Sequence, residues 1–207
     1  MKQRFLRFLS YPERPDGRMT SLEYFSRLPV LETTDLILRP LRRDDAEDLF
    51  SWSSDPEVAR YVLWEPHQDL RDTRAYLRYM RGLYRSGQPS SWGMVLRETG
   101  AVIGTVGFMW LSEENRSAEV GYSLARPCWN RGLATQALSA VVCSAFSSLN
   151  LNRIEAQRDL RNPASGRVLE KCGFSQEGIL RSRIRNKGEF IDVVLYAILR
   201  RDLEETP

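Results

Sequence analysis

The spacing of apolar residues changes once, between residues 118 and 149, from a period of two to that of a helix. Ala118, Val120, Tyr122 and Leu124 alternate with Glu119, Gly121 and Ser123, which predicts a strand. Apolar residues at 133, 134, 137, 138, 141, 142, 145, 146 and 149 then repeat at i, i+3, i+4 and i+7, which predicts a helix with a wide apolar face. Gly132 stands where the two meet. Its missing Cβ lets backbone approach a ligand, and the free N–H groups of the first helical turn, with the dipole behind them, favour an anion such as a phosphate. A glycine between strand and helix also serves simply to make the turn, and this segment alone is compatible with either role.

A second unit of the same kind follows. Residues 153–160 (RIEAQRDL) predict a strand, and residues 161–174 (RNPASGRVLEKCGF) a helix with Asn162 as N-cap, Pro163 at the first helical position and Gly173 as the stop. Two consecutive strand-to-helix units imply near-parallel strands whose C-terminal ends lie together, where α/β folds bind ligands. Upstream, Leu36–Leu41 predicts a strand, Asp44–Ser53 a helix capped by Asp44 or a neighbour, and Asp69–Tyr84 a second helix. Ser91–Arg97 and Val102–Trp110 read as a hairpin turning at Glu98, Thr99 and Gly100, with Ser117–Leu124 pairing next. Trp92 and Trp110 fall in these strands and read as core. The expected class is α/β, a mixed central β-sheet flanked by helices.

Composition narrows the class. A chain of 207 residues, 42% hydrophobic and 28% charged, is long enough to bury a core and fits one domain, or one domain plus an appendage. Its net charge of +3 comes from arginines scattered along the chain, with no basic stripe to suggest nucleic acid. Cys128, Cys143 and Cys172 lack disulfide or zinc spacing, and His67 is the only histidine, so no metal is expected. Residues 132–152 carry no charge yet are too rich in Ser, Thr, Gln and Asn for a membrane span. The opening MKQRFLRFLS is interrupted by arginines and has no cleavage site, so it does not read as a secretory signal. Turn formers at residues 11–20 read as a linker, which makes residues 1–28 an appendage to a domain over 29–207.

Four segments in order, LPVLETTDLILRPL, AEVGYSLARPCWNRGLATQAL, NPASGRVLEKCGF and GEFIDVVLYAIL, resemble the GNAT N-acetyltransferase family over about residues 30–200. The likeness is nearest to the branch that acetylates the N-terminal amines of ribosomal proteins. It implies the GNAT fold, whose splayed strands form an acetyl-CoA cleft, a cytoplasmic setting, and a monomer or homodimer without nucleic-acid or membrane partners. It further implies that Asn130, Arg131, Gly132, Leu133, Ala134 and Thr135 hold the diphosphate, that Asn162 and the strand at Tyr122 and Leu124 hold the pantetheine arm, and that an amide near Tyr122 to Leu124 polarises the thioester. Where the wider family has Gln or Arg at the head of the diphosphate loop, this chain has Trp129.

Acetyl transfer needs a neutral amine, a polarised carbonyl and support for the departing thiolate. Glu119, which precedes the diphosphate loop on the same strand and lies opposite the Val120 and Tyr122 face, is the first candidate base; the alternative is a structural pair with Arg116 or Arg158, and Glu189 and Asp192 are rival bases. Many relatives carry a thiolate-side tyrosine where this chain has Leu169, and the ribosomal branch resembles it in offering Ser165 instead. Ser165 and Asn162 also fit plain helix-start roles. Trp52, Tyr61, Trp64 and His67 fall in the segment that resembles the acceptor-side wall, and core packing is the other reading for them. The expected reaction moves an acetyl group from acetyl-CoA to a primary amine, foremost a protein N-terminus. A small-molecule amine acceptor and a non-catalytic acyl-CoA-binding module are the alternatives.

Overall fold

Capping residues and glycine stops set the limits of the helices along this chain. The computed structural model describes residues 18–204, so the N-terminal decapeptide and most of the linker read at 11–20 lie outside the described residues. Helix α1 (Ser21–Ser26) starts at Thr20, whose hydroxyl accepts from Glu23 N while the Glu23 carboxylate returns to Thr20 N. Strands β1 (Leu31–Glu32) and β2 (Leu36–Pro40) lead to a 3-10 turn (Arg43–Asp45) that runs into α2 (Ala46–Ser53). The neighbour of Asp44 that holds this start is Asp45, which takes the Arg42 N–H at 2.6 Å and pairs with Arg39. Asp55 caps α3 (Pro56–Ala59), Asp69 caps α4 (Leu70–Ser86), and Gly87 ends α4 at φ 63°. Such caps contribute about 1 kcal/mol each.

Strands β3 (Ser91–Leu96), β4 (Val102–Ser112) and β5 (Ser117–Leu124) form the expected meander, turning at Gly100. Then come α5 (Leu133–Ser148), β6 (Arg153–Asp159), α6 (Pro163–Lys171), the long hairpin of β7 (Ser175–Asn186) and β8 (Glu189–Leu199), and α7 (Arg200–Glu204). The sheet order is β1-β2-β3-β4-β5-β6-β8-β7, and every pair is antiparallel except β5 with β6. This is the expected mixed sheet, with helices packed on both of its faces. Tyr76 of α4 reaches the Ser91 and Thr105 side chains on one face, while Tyr122, across from Val106, meets α6 on the other.

Residues 18–28, expected in the appendage, dock on the domain. Tyr24 and Phe25 are fully buried, their rings edge-on to Trp92 and Phe108 at 6.1 and 5.6 Å, and the Tyr24 hydroxyl meets Ser144 Oγ of α5 at 2.8 Å. Helix α1, strands β3 and β4 and helix α5 thus share one hydrophobic cluster.

The sheet opens between its two parallel strands. Parallel pairing of β5 with β6 covers only Ser117–Glu119 against Arg153–Glu155, and beyond it the two strands part. Past that point β6 stays paired with β8, so the gap between β5 and β6 opens into a cleft.

Candidate active site

The cleft has a volume of about 520 Å³ and is floored by Tyr122, Ser123 and Leu124 of β5. Ala125 N donates to Ile103 O of β4 at 2.8 Å, and amides alternate sides along a strand, so the N–H groups of Tyr122 and Leu124 turn away from β4 toward the gap. Of the other residues expected at the diphosphate, Asn130, Gly132, Leu133, Ala134 and Thr135 line the cleft. Arg131 does not line it; its guanidinium turns toward Glu98, 4.0 Å away.

The loop between β5 and α5 is shaped for close approach. Asn130 and Gly132 both have left-handed φ, 58° and 76°, and a Cβ built on Gly132 would meet no atom within 4 Å, because it would point into open space. As N-cap, Gly132 has no side chain to accept from the first turn of α5, so the amides there are left for a ligand. Trp129, where the wider family has Gln or Arg, donates its indole N–H to Leu124 O at 2.7 Å and ties the loop to the end of β5.

Helix α6 forms the opposite wall with Asn162, Pro163, Ser165, Arg167, Val168 and Lys171. Arg167 and Lys171 are one helical turn apart and bring positive charge to a cleft meant for phosphates, a pair the strand-and-loop reading missed although their i, i+4 spacing was visible. Asn162 caps the helix by accepting from Ser165 N at 3.2 Å. The cap therefore does not use the Ser165 hydroxyl, whose Oγ lies 2.8 Å from the Tyr122 hydroxyl. Tyr122 OH also donates toward Ser165 O at 2.9 Å. Burial pushes the Tyr122 hydroxyl well above the usual tyrosine value, so it stays protonated. A tyrosine thus reaches this wall from β5, while Leu169 is buried in the core.

Glu119 lies outside the lining of the cleft, on the opposite face of β5 from Tyr122 and just before the strands part. Neither Arg116 nor Arg158 pairs with it, since Arg116 Nε donates to Asn150 O and Arg158 Nη1 to the carbonyls of Asp159 and Leu160. Its Oε2 instead accepts from Trp110 Nε1 at 2.7 Å and Gln157 Nε2 at 3.2 Å, both neutral donors. Desolvation raises the Glu119 pKa, aided by Glu155 and opposed by those two hydrogen bonds and by Arg183. The rivals have structural work: Glu189 is an exposed partner of Arg161 at 3.6 Å, and Asp192 accepts from Ser182 N at 2.7 Å in the bulge of β7.

Trp110 corrects an expectation, for it is 38% exposed rather than core. A bulge between Phe108 and Trp110 inserts Met109, so the two aromatic residues, two apart in sequence, pair with Val120 and Glu119 on opposite faces. Trp92 is buried, as expected. Of the acceptor-side aromatics, Tyr61 lines the cleft, while Trp52, Trp64, His67 and Tyr76 form a ring cluster with centroids 5.9 to 6.4 Å apart. His67 Nδ1 lies 2.8 Å from Ser53 Oγ and 2.9 Å from Thr73 Oγ1, and desolvation lowers its pKa. The wall carrying Tyr61 is fastened by the β7–β8 turn, where Asn186 Nδ2 donates to Val62 O at 3.2 Å and Lys187 Nζ to Ala59 O.

Among the described residues no group of three or more His, Cys, Asp or Glu is placed to hold a metal ion, and no helix is long and apolar enough to cross a membrane. An open helix start, a left-handed glycine and a gap with inward amides fit a thioester carried on a diphosphate-bearing arm.

A family model described as an acetyltransferase (GNAT) domain matches residues 35–175. An uncharacterized N-acetyltransferase, p20 of Bacillus licheniformis, is 37% identical over 175 residues, which cover 84% of this chain and 98% of that protein. Among solved structures, a GNAT-family acetyltransferase from Bacillus anthracis gives a TM-score of 0.75 at 25% identity, over 84% of this chain and 99% of that one. A ribosomal L7/L12 alpha-N-protein acetyltransferase in complex with coenzyme A also gives 0.75, at 20% identity over 83% and 98% of the two chains, a likeness of fold. The matched region runs through both strand-to-helix units and the cleft between them, and the chain accordingly belongs to the GNAT acetyltransferases and is an acetyl-CoA-dependent N-acetyltransferase.

Proposed function

We propose that the acceptor is the N-terminal α-amine of a protein, taken in direct attack while both substrates are bound. The observation that carries this reading is Glu119, held by neutral donors beside the point where β5 and β6 part. Acetyl-CoA supplies an activated acyl group on a thiolate leaving group. The loop at Asn130 to Thr135 binds its diphosphate, and the amides of Tyr122 and Leu124 take the arm and polarise the carbonyl. The amine comes from the Glu119 side of the gap and passes its proton to that carboxylate, directly or through a water. An α-amine has an ordinary pKa of about 7.7 to 8.0 against about 10.4 for lysine, so far more of it is neutral near pH 7. With His67 engaged in the aromatic cluster, a carboxylate base suits the weaker amine. The structural neighbour that is an alpha-N-protein acetyltransferase supports the same reading. A cytoplasmic location goes with it, consistent with three free cysteines.

Peptides beginning with Ala or Ser are expected to be acetylated. A peptide blocked at its N-terminus, with an internal lysine left free, is expected to give no product by mass spectrometry. Transfer to the blocked peptide, or activity confined to a polyamine or aminoglycoside, would move the acceptor to the small-molecule alternative.

On the thiolate side, Ser165 and Tyr122 act as one hydrogen-bonded donor to the leaving sulfur. Ser165→Ala and Tyr122→Phe are each expected to lower kcat about tenfold or more. The double variant should lose little beyond either single one, because the groups work in series. Ser165→Ala leaves the Asn162 cap in place, so its melting temperature is expected to stay near that of the parent. A large drop in stability with unchanged turnover would assign the hydroxyls to packing alone.

A further inference from the structure

Beyond the last paired residues of β5 and β6, the Gln157 side chain reaches back across the opening gap. Gln157 lies two residues after Glu155, hence on the same face of β6, and Glu155 is the register partner of Glu119. Its Nε2 donates to Glu119 Oε2 at 3.2 Å across the diverging strands. The other end of the carboxamide, Oε1, is buried and, among the described residues, has no hydrogen-bond partner. A buried amide oxygen without a donor carries the cost of desolvation uncompensated, which calls for a donor to arrive. Glu119 presents the same asymmetry: Oε2 takes both described donors, Trp110 and Gln157, and among the described residues none is recorded on Oε1.

We propose that Gln157 and Glu119 together form the subsite for the acceptor's ammonium group, with Gln157 Oε1 and Glu119 Oε1 as its two acceptors and the exposed Trp110 as its flank. This rests on the reading of Glu119 as base. An alkylammonium offers three N–H donors and no acceptor, the complement of a carboxylate and an amide oxygen side by side. Neutral Trp110 and Gln157 fix the carboxylate without neutralising it, so its charge remains for the incoming cation. Other charges near it are Glu155, engaged by Arg153 at 2.6 Å, and Arg183 of β7; Arg153 in turn pairs with Glu177. Gln157 is therefore a residue of amine recognition as well as a positioning residue for Glu119, and it selects primary amines by hydrogen-bond count. When the proton passes to Glu119, the neutral amine keeps its hydrogen bond to Gln157 Oε1 and is held facing the gap.

Steady-state kinetics with an Ala-initiated peptide, or with whichever primary amine the wild-type enzyme turns over, test this. Gln157→Met keeps length and bulk while removing both polar ends. It is expected to raise the KM for the amine about tenfold and leave acetyl-CoA affinity by calorimetry within twofold. The acidic limb of kcat/KM is expected to move to higher pH, because Glu119 loses a donor that favours its charged form. Gln157→Ala is the second variant, expected to shift both quantities the same way should the methionine pack badly. If a folded variant shows an unchanged amine KM and an unmoved limb while Glu119→Gln is inactive, the Gln157 subsite is wrong and the base stands. If Glu119→Gln is itself fully active, the base reading fails first, and the subsite with it.

Discussion

Glu119→Gln is expected to lower turnover by about 10²-fold or more, with acetyl-CoA affinity close to that of the parent. The carboxylate lies outside the cleft lining, so the cofactor should not sense the change. A glutamine accepts from Trp110 Nε1 and Gln157 Nε2 as the glutamate does, so the local hydrogen bonds survive and only the proton acceptor is lost. The wild-type rate is expected to fall on acidification through a pKa above the ordinary glutamate range, since desolvation holds the proton on. In the variant that limb should be gone. Stability gives an independent sign. A carboxyl whose folded pKa is raised binds protons more tightly in the native state, so its stabilising share is present below the unfolded value and is lost as pH rises through the folded one. At neutral pH the ionised group is then a burden, and Glu119→Gln is expected to melt no lower than the parent. Wild-type turnover in this variant would turn attention to Glu189 and Asp192, whose partners would first have to be released.

The parts of the molecule that the sequence discloses are those where local chemistry and tertiary packing agree. Period two, glycine, then helical spacing is what β5, Gly132 and α5 show, and Asn162 with Pro163 starts α6 as such a pair should. The cleft residues follow because backbone, not side-chain identity, forms most of that site. What stays hidden depends on contacts distant in sequence. Trp110 has the right parity for the core until Met109 bulges, and no local signal distinguishes a bulged strand from a regular one. The edge strand β7 is exposed along nearly its whole length, so it lacks the alternation that marks β5. Helix α1 is six residues long, too short for a period to register, and is fixed by Tyr24 and Phe25 rather than by propensity. The Tyr122 to Ser165 contact joins residues 43 apart, and only the fold brings a tyrosine to the wall where position 169 lacks one. Period-two alternation already set Glu119 on the face of β5 opposite Tyr122; the partners each face meets, Trp110 and Gln157 on one side and Ser165 on the other, were not legible.

The cofactor loop gives the second large effect. Gly132→Val is expected to weaken acetyl-CoA binding at least tenfold. The glycine holds φ at 76°, a region costing an L-residue about 1 to 2 kcal/mol and a β-branched one more, so the loop would relax toward negative φ and swing its amides away. Its Cβ would also project into open space at the cleft, where the diphosphate must come close. Two charge-assisted hydrogen bonds lost at about 1.5 to 3 kcal/mol each would exceed a tenfold change. Gly132→Asn separates the two causes. Asparagine tolerates left-handed φ, and its side chain can accept from the first turn of α5, so stability is expected to hold or rise while affinity still falls through competition for those amides. Calorimetry on folded protein reads both variants. An unchanged affinity in Gly132→Val with a native melting curve would remove the diphosphate from this turn, whereas normal binding by Gly132→Asn alone would show that backbone conformation, and not free amides, is what the glycine protects.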